Sequence, residues 1–392
     1  MIKKIFLSVL IVILTLLKTT AQVNLSVYSE ISIITAGPGE KLYEKFGHSA
    51  IRVKDPVLNL DLIYNYGIFD FNAPNFLLNF AQGKMFYLLA RYDFKYFLAS
   101  YKNDKRWLKE QILNLNQAQK QHFFSYLENN ALKENATYLY DPFFNNCATK
   151  IKDISKTILS NNIVFEDIVT NTSLRNLLNK EIHFNSWGNV GINLITGTIL
   201  DTKRTKEAYM YLPDYVYSYF KTAKIVTNNS EIPLVKKENV LLDFKEPRTT
   251  LKLFSPAILF SFLFSIILWF TWRDFKAKNG ITVIDVILFF LTGFVGLILS
   301  YLWLFSDHST APNNFNIFWA FPVNLIFAFI IRKKKYHLFL SKYISLLLVL
   351  FVTLIALLVL EIQTLPLAII PFLAALVIRY VYINYVLLTS IK

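Results

Sequence analysis

The sequence predicts an α+β exported domain followed by an all-α membrane domain of five helices. Three observations predict it. The 392 residues are 54% hydrophobic and only 17% charged, a balance that leaves part of the chain facing something other than water. The apolar excess is segregated: residues 24–252 carry the polar punctuation of a soluble domain, whereas from Phe254 onward long apolar runs alternate with brief polar breaks. Within 24–252, β-branched and aromatic runs and amphipathic helical patterns both occur.

The chain opens "MIKKIFLSVLIVILTLLKTTAQ", with two lysines, an apolar run from Ile5 to Leu17, and small polar residues ending near Ala21. This is the pattern of a secretory signal peptide, residues 1–21, and the run is short for a membrane span. An uncleaved signal anchor is the alternative. Under either reading the domain that follows, 22–252 with its connector, is exported, and 253–392 form the membrane domain.

In the exported domain, "SVYSEISIITAG", "AIRV" and "DLIYNYGIFDF" read as strands, broken by Gly37, Pro38, Gly39 and Pro56. "NAPNFLLNFAQGK", "LNQAQKQHFFSYLENNAL" and "NCATKIKDISKTIL" read as helices. In the last, Ile151, Ile154 and Ile158 share one face of a helix that begins near Asn146. Residues 224–252 read as a polar connector. The membrane segments are Phe254–Trp272, Ile281–Phe305, Phe315–Ile331, Leu338–Leu360 and Leu365–Leu388, each about long enough for the roughly 30 Å of hydrocarbon. Pro322 interrupts the third, which a membrane helix tolerates when its neighbours satisfy the freed backbone. Lysine and arginine gather in "RDFKAKNG" and "RKKKYH" and are missing from "SDHSTAPNNFN" and "EIQTLP". The first pair of loops is therefore cytoplasmic and the second lies on the side of the exported domain.

The net charge of +14 comes with no nucleic-acid motif and no aromatic-basic stripe, so nucleic acid is not an expected partner. No histidine and carboxylate cluster has metal-ligand spacing, and no cofactor is called for. The single cysteine, Cys147, excludes an internal disulfide. Its alternatives are a small buried hydrophobe and a working nucleophile. At a helix start, capped by Asn146, unpaired backbone N–H groups and the helix dipole favour a thiolate. His48 begins a strand on which Ile51 and Val53 point one way and His48, Ala50 and Arg52 the other, so it lies off the apolar face. A histidine that meets a thiol can take its proton and return it to a leaving group.

"FGHSAIRV", "DLIYNYGIFDF" and "FNNCATKI", in that order and ahead of five membrane segments, resemble the Lnb-type lipoprotein N-acyltransferase family over nearly the whole chain. The resemblance implies a circularly permuted papain-like (NlpC/P60-related) exported domain in which histidine precedes cysteine. It places the family's cysteine on Cys147 and its histidine on His48. It further implies transfer of a fatty acyl chain from a phospholipid donor to the α-amine of the diacylglyceryl cysteine of a bacterial lipoprotein, at the periplasmic face of the inner membrane. Asn65 in "YNYG" is the choice for the group that orients the histidine. Tyr64 and Tyr66 beside it are the alternatives and otherwise candidates for substrate contact. His308, with Asp307, Asn313, Asn314 and Asn316, lies in a polar loop on the catalytic side and is a further substrate-binding candidate. His122, His183 and His337 sit in ordinary helix, loop and basic-loop contexts. A membrane-tethered cysteine peptidase or amidase acting on peptidoglycan is the rival reading, and a lipoprotein-binding scaffold the non-enzymatic one.

Overall fold

The structure is a computed structural model that describes residues 23–160, 162–168, 171–227, 230–246 and 253–391. The signal-peptide reading of residues 1–21 lies outside the described residues. The exported domain is built on a sheet of β1 (Glu30–Ala36), β2 (His48–Asp55), β3 (Leu60–Ile68), β4 (Phe86–Asp93), β5 (Leu108–Leu113), β6 (Thr137–Leu139) and, beyond a small hairpin, Val235–Leu242. The spatial order is Val235–Leu242, β5, β1, β2, β3, β4, β6, with antiparallel pairing throughout. Sequence-adjacent β1, β2, β3 and β4 are thus also neighbours in space.

Helices α1 (Phe76–Gln82), α2 (Phe94–Asn103), α3 (Gln117–Ala131) and α4 (Cys147–Ile158) pack around this sheet. The alternation of β2 sorts its side chains onto two buried faces. Ile51 and Val53 join Ile31, Ile33, Leu62 and Tyr64 in the larger core, where Ile151, Ile154 and Ile158 of α4 meet them. On the opposite face Ala50 packs with Ile34, Ile63 and the α2 residues Phe94 and Phe97. The face that reads as polar in the sequence is therefore covered too. Its charged member, Arg52, is satisfied by Asp61 at 2.7 Å and Glu110 at 2.9 Å and lies 3.8 Å from the Phe94 ring centre.

The expected connector at 224–252 is corrected over its described part. Lys224–Thr227 and Ser230–Pro233 form a hairpin, and Val235–Leu242 adds to the edge of the main sheet beside β5. Lysines made this stretch look like linker, but an edge strand carries lysine because charge there discourages pairing with other chains.

The membrane domain holds four helices long and apolar enough to cross a membrane: α8 (Pro256–Ala277), α9 (Val283–Leu304), α10 (His337–Val359) and α11 (Ile370–Ile391), with α5 to α7 being Leu174–Glu181, Trp187–Ile195 and Pro213–Thr222 of the exported domain. Their 22 or 23 residues give about 33 Å at 1.5 Å per residue, a match to the hydrocarbon thickness. The fifth expected helix, Phe315–Ile331, is corrected: it is a broken passage with a 3-10 turn at Phe315–Phe318 and a short helix at Asn324–Ala328. Pro322, which lacks an N–H and blocks the preceding turn, sits at the break. Neighbours compensate for the lost regularity. Asn324 donates to Thr292 Oγ1 at 2.9 Å and accepts from the Tyr343 hydroxyl at 2.5 Å. Gly296 of α9 lets the passage come close, because a Cβ there would collide with the Ala320 carbonyl.

Where the end of α8 and the start of α9 meet the middle of α11, the fully buried Arg379 binds Asp285 at 2.5 Å and Asp274 at 3.0 Å. Breaking a buried pair of this kind costs about 3–5 kcal/mol, so the cluster locks the three helices together. At the other end, both loops without lysine or arginine touch the exported domain. Arg175 spends its guanidinium on Asp201, Asn193 and the 196–197 backbone, and Asp201 Oδ1 in turn accepts from Thr364 N at 3.0 Å. Gly197 N donates to the Thr310 carbonyl at 2.7 Å and Asn314 Nδ2 to the Leu194 carbonyl at 2.7 Å.

Candidate active site

The site begins with a cap. Asn146, extended and buried, accepts from the backbone N–H groups of Ala148 and Thr149 at 2.9 Å each, and its amide donates to the carbonyls of Pro142 at 2.6 Å and Tyr211 at 2.8 Å. Such a cap contributes about 1 kcal/mol to the helix and fixes where its first residue stands. That residue is Cys147. The helix behind it is long enough to present its N-terminal partial positive charge to the sulfur.

Antiparallel pairing brings His48 to the same place. As the first residue of β2 it lies opposite Ala36 at the end of the sheet nearest the start of α4, and there the imidazole and the Cys147 thiol lie close enough to set each other's protonation. The His48 ring nitrogen Nε2 donates to Asn65 Oδ1 at 2.6 Å, and Asn65 Nδ2 donates to the Tyr92 hydroxyl at 3.0 Å. The bond to Tyr92 turns the amide so that its oxygen faces the histidine. In the neutral ring Nδ1 is then bare and can accept the thiol proton.

The electrostatics of the pair run against burial. Burial pushes the Cys147 thiol up, but the His48 charge and hydrogen bond, with the backbone N–H groups of Ser49 and Ala148, bring it below its ordinary value of 9.0. Burial pushes His48 down, yet Cys147 and Asn65 raise it above 6.5, with Arg106 opposing. Both directions favour a thiolate and imidazolium. Among the described residues no group of three or more His, Cys, Asp or Glu is placed to hold a metal.

Beside the thiol is a space that a glycine keeps open. Gly67 sits in a bulge of β3 at φ +94, where L side chains are strained. A Cβ there would lie 3.9 Å from Cys147 Cβ, 3.9 Å from the Tyr138 hydroxyl and 3.7 Å from the Tyr140 ring. The Tyr138 hydroxyl is buried without a hydrogen-bond partner among the described residues. Burial holds its phenol far above the ordinary 10, so it keeps its proton.

The structure thus brings Cys147, His48 and Asn65 together and gives the other sequence candidates different partners. Tyr64 and Tyr66 alternate with Asn65 and point to the opposite face of β3. There the Tyr64 hydroxyl donates to Glu128 at 2.5 Å and the Tyr66 hydroxyl accepts from Asn130 at 2.9 Å. His308 Nε2 donates to the Phe80 carbonyl at 2.8 Å, and the neighbouring Ser309 hydroxyl donates to Asp141. Its position is a seam between membrane loop and exported domain. Tyr92, Tyr138 and Arg106 were not legible as site residues. They lie on segments without a motif, and only the sheet register brings them in.

A family model described as the Lnb N-terminal periplasmic domain matches residues 17–180, and one described as the Lnb transmembrane domain matches residues 248–391. No curated protein and no solved structure matches the chain.

Proposed function

The chain belongs to the Lnb family, a membrane protein with a periplasmic domain, and from that premise we propose that it is a lipoprotein N-acyltransferase of the bacterial inner membrane. The observation that carries the reading is the juxtaposition of Cys147 at a helix N-terminus with His48, whose ring is hydrogen-bonded to Asn65. Its chain order, histidine before cysteine, is that of a permuted papain-like domain. Five passages through the membrane exceed what a tether for a peptidoglycan hydrolase needs and fit a substrate drawn from the bilayer.

Transfer proceeds in two halves. The Cys147 thiolate attacks an ester carbonyl of a phospholipid; as the ester C–O bond breaks, the imidazolium of His48 gives its proton to the departing lysophospholipid alkoxide and a thioester remains. Neutral His48 then takes a proton from the incoming α-amine of the lipoprotein's diacylglyceryl cysteine. The amine attacks the thioester, the C–S bond breaks, and an amide and the Cys147 thiolate result. Asn65 holds the ring in the tautomer that both halves need. Cells lacking this protein are expected to display lipoproteins without the N-acyl group by mass spectrometry of their N-termini. Unchanged lipoproteins together with altered peptidoglycan fragments would move the assignment to the hydrolase reading.

The negative charge that develops on the carbonyl oxygen needs donors. The space over Gly67 lies between Cys147 and Tyr138, whose hydroxyl, without a partner among the described residues, is placed to donate to that oxygen. Tyr138→Phe is expected to slow acyl-enzyme formation by about 10²-fold, near the effect of losing one oxyanion donor, while iodoacetamide still alkylates Cys147 at the wild-type rate. Wild-type acylation by the variant would remove Tyr138 from this role.

A further inference from the structure

Helix α1 presents an apolar face that the exported domain does not cover. Leu77 is 80% exposed, and Leu78, Phe80 and Phe71 are exposed beside it. A soluble domain rarely leaves so much adjoining apolar surface in water. What fixes its surroundings is the seam with the membrane domain. Asp307 N donates to the Gln82 carbonyl at 2.8 Å and His308 Nε2 to the Phe80 carbonyl at 2.8 Å, so α1 is held three residues beyond the end of α9 at Leu304. Leu304 and Phe305, the last apolar residues of that spanning helix, are themselves exposed. The uncovered face of α1 is therefore continuous with the surface that meets lipid.

From that face a series of rings leads inward. Phe80 stacks with Phe76 at 6.4 Å, Phe76 with Phe69 at 6.2 Å, Phe69 with Tyr87 at 4.9 Å, and Tyr87 with Tyr140 at 4.3 Å. The Tyr140 ring borders the open space over Gly67, whose other wall is Cys147. We propose that α1 is immersed in the outer leaflet of the bilayer and that these rings form a track along which the acyl chain of a phospholipid reaches Cys147. The chemistry suits the task, because aromatic faces offer apolar contact without fixed length or register, and the short track spares the chain a passage through water. The track part rests on the acyltransferase reading; the immersion of α1 does not.

The test separates the two. In full-length protein with Cys147→Ala and Leu77→Cys, a nitroxide at position 77 reconstituted in phosphatidylethanolamine and phosphatidylglycerol vesicles is expected to be relaxed more by oxygen than by a water-soluble nickel chelate. A nitroxide at Lys133→Cys, on an exposed turn after α3, is expected to show the reverse. Equal behaviour at the two positions would overturn the immersion of α1. With Cys147 intact, Leu77→Asp combined with Leu78→Asp is expected to lower the ratio of acyl-enzyme formed from vesicle phospholipid to that formed from p-nitrophenyl butyrate by at least about tenfold. An unchanged ratio would overturn the track. Absence of acyl-enzyme from either donor in the wild-type protein would count against the acyltransferase reading alone, since the nitroxide result stands without catalysis.

Discussion

Cells whose only copy of this protein carries Cys147→Ala are expected to accumulate lipoproteins with a free N-terminal amine, as fully as cells that lack the protein. Alanine keeps the helix start and the Asn146 cap, whose hydrogen bonds reach Ala148, Thr149 and the carbonyls of Pro142 and Tyr211 but not the thiol. The fold is therefore preserved while the only group that can hold the acyl chain is gone. Cys147→Ser is expected to be nearly as severe, because a hydroxyl is ionised far less readily than a thiol under the same histidine. Mass spectrometry of lipoprotein N-termini reads both. N-acylation at the wild-type level in the alanine variant would exclude the covalent mechanism.

His48→Ala is expected to reduce turnover by about 10²- to 10⁴-fold, the range for loss of a general acid and base. A second readout separates this from a loss of structure. Cys147 is the sole cysteine, so alkylation of the whole chain by iodoacetamide reports one thiol. The His48 charge lowers the Cys147 thiol below 9.0 and the Cys147 charge raises His48 above 6.5, so each charged form favours the other. The linkage with stability has matching signs. The His48 contribution is complete below 6.5 and lost as pH rises through its raised value; the Cys147 contribution is present above 9.0 and lost as pH falls through its lowered value. Without His48, burial dominates what remains, and the midpoint for alkylation should move up, making alkylation at neutral pH slower than in the wild-type protein. An unshifted midpoint in a folded variant would show that the thiol is lowered by the helix and backbone alone.

Much of the site was legible because its local signals are strong. Asn146 before an amphipathic run marks the start of α4, and Gly47 before an alternating run marks the start of β2, so Cys147 and His48 could each be placed before their meeting could be seen. Asn65 is the choice among three neighbours, but Tyr64 and Tyr66 stay open as alternatives in the sequence because "YNYG" alternates faces, and which face looks at His48 depends on the β2 and β3 register, a long-range property. The same limit hid Tyr138 and Tyr92. Strand β6, which bears Tyr138, has three residues and pairs only with β4, too short for any periodicity to show. In the membrane half, hydropathy gives five apolar segments where the structure has four helices of spanning length, because it could not tell a continuous helix from the broken segment at Phe315–Ile331. Composition is blind to backbone satisfaction, which local turn bonds such as Asn324 N to the Phe321 carbonyl and Leu325 N to the Pro322 carbonyl supply here, while Thr292 and Tyr343 hold the Asn324 side chain and Gly296 permits the close approach. The Val235–Leu242 strand failed for the opposite reason, its lysines outweighing its pattern.

The most direct test of the central claim is the intact mass of the purified full-length protein after incubation with phospholipid vesicles and no lipoprotein acceptor. The expected result is an added mass of one fatty acid less water, removed by neutral hydroxylamine as a thioester is, mapped to Cys147, and discharged with formation of an amide when a diacylated lipopeptide is supplied. A protein that N-acylates the lipopeptide at full rate while never carrying an acyl group on Cys147 would contradict it.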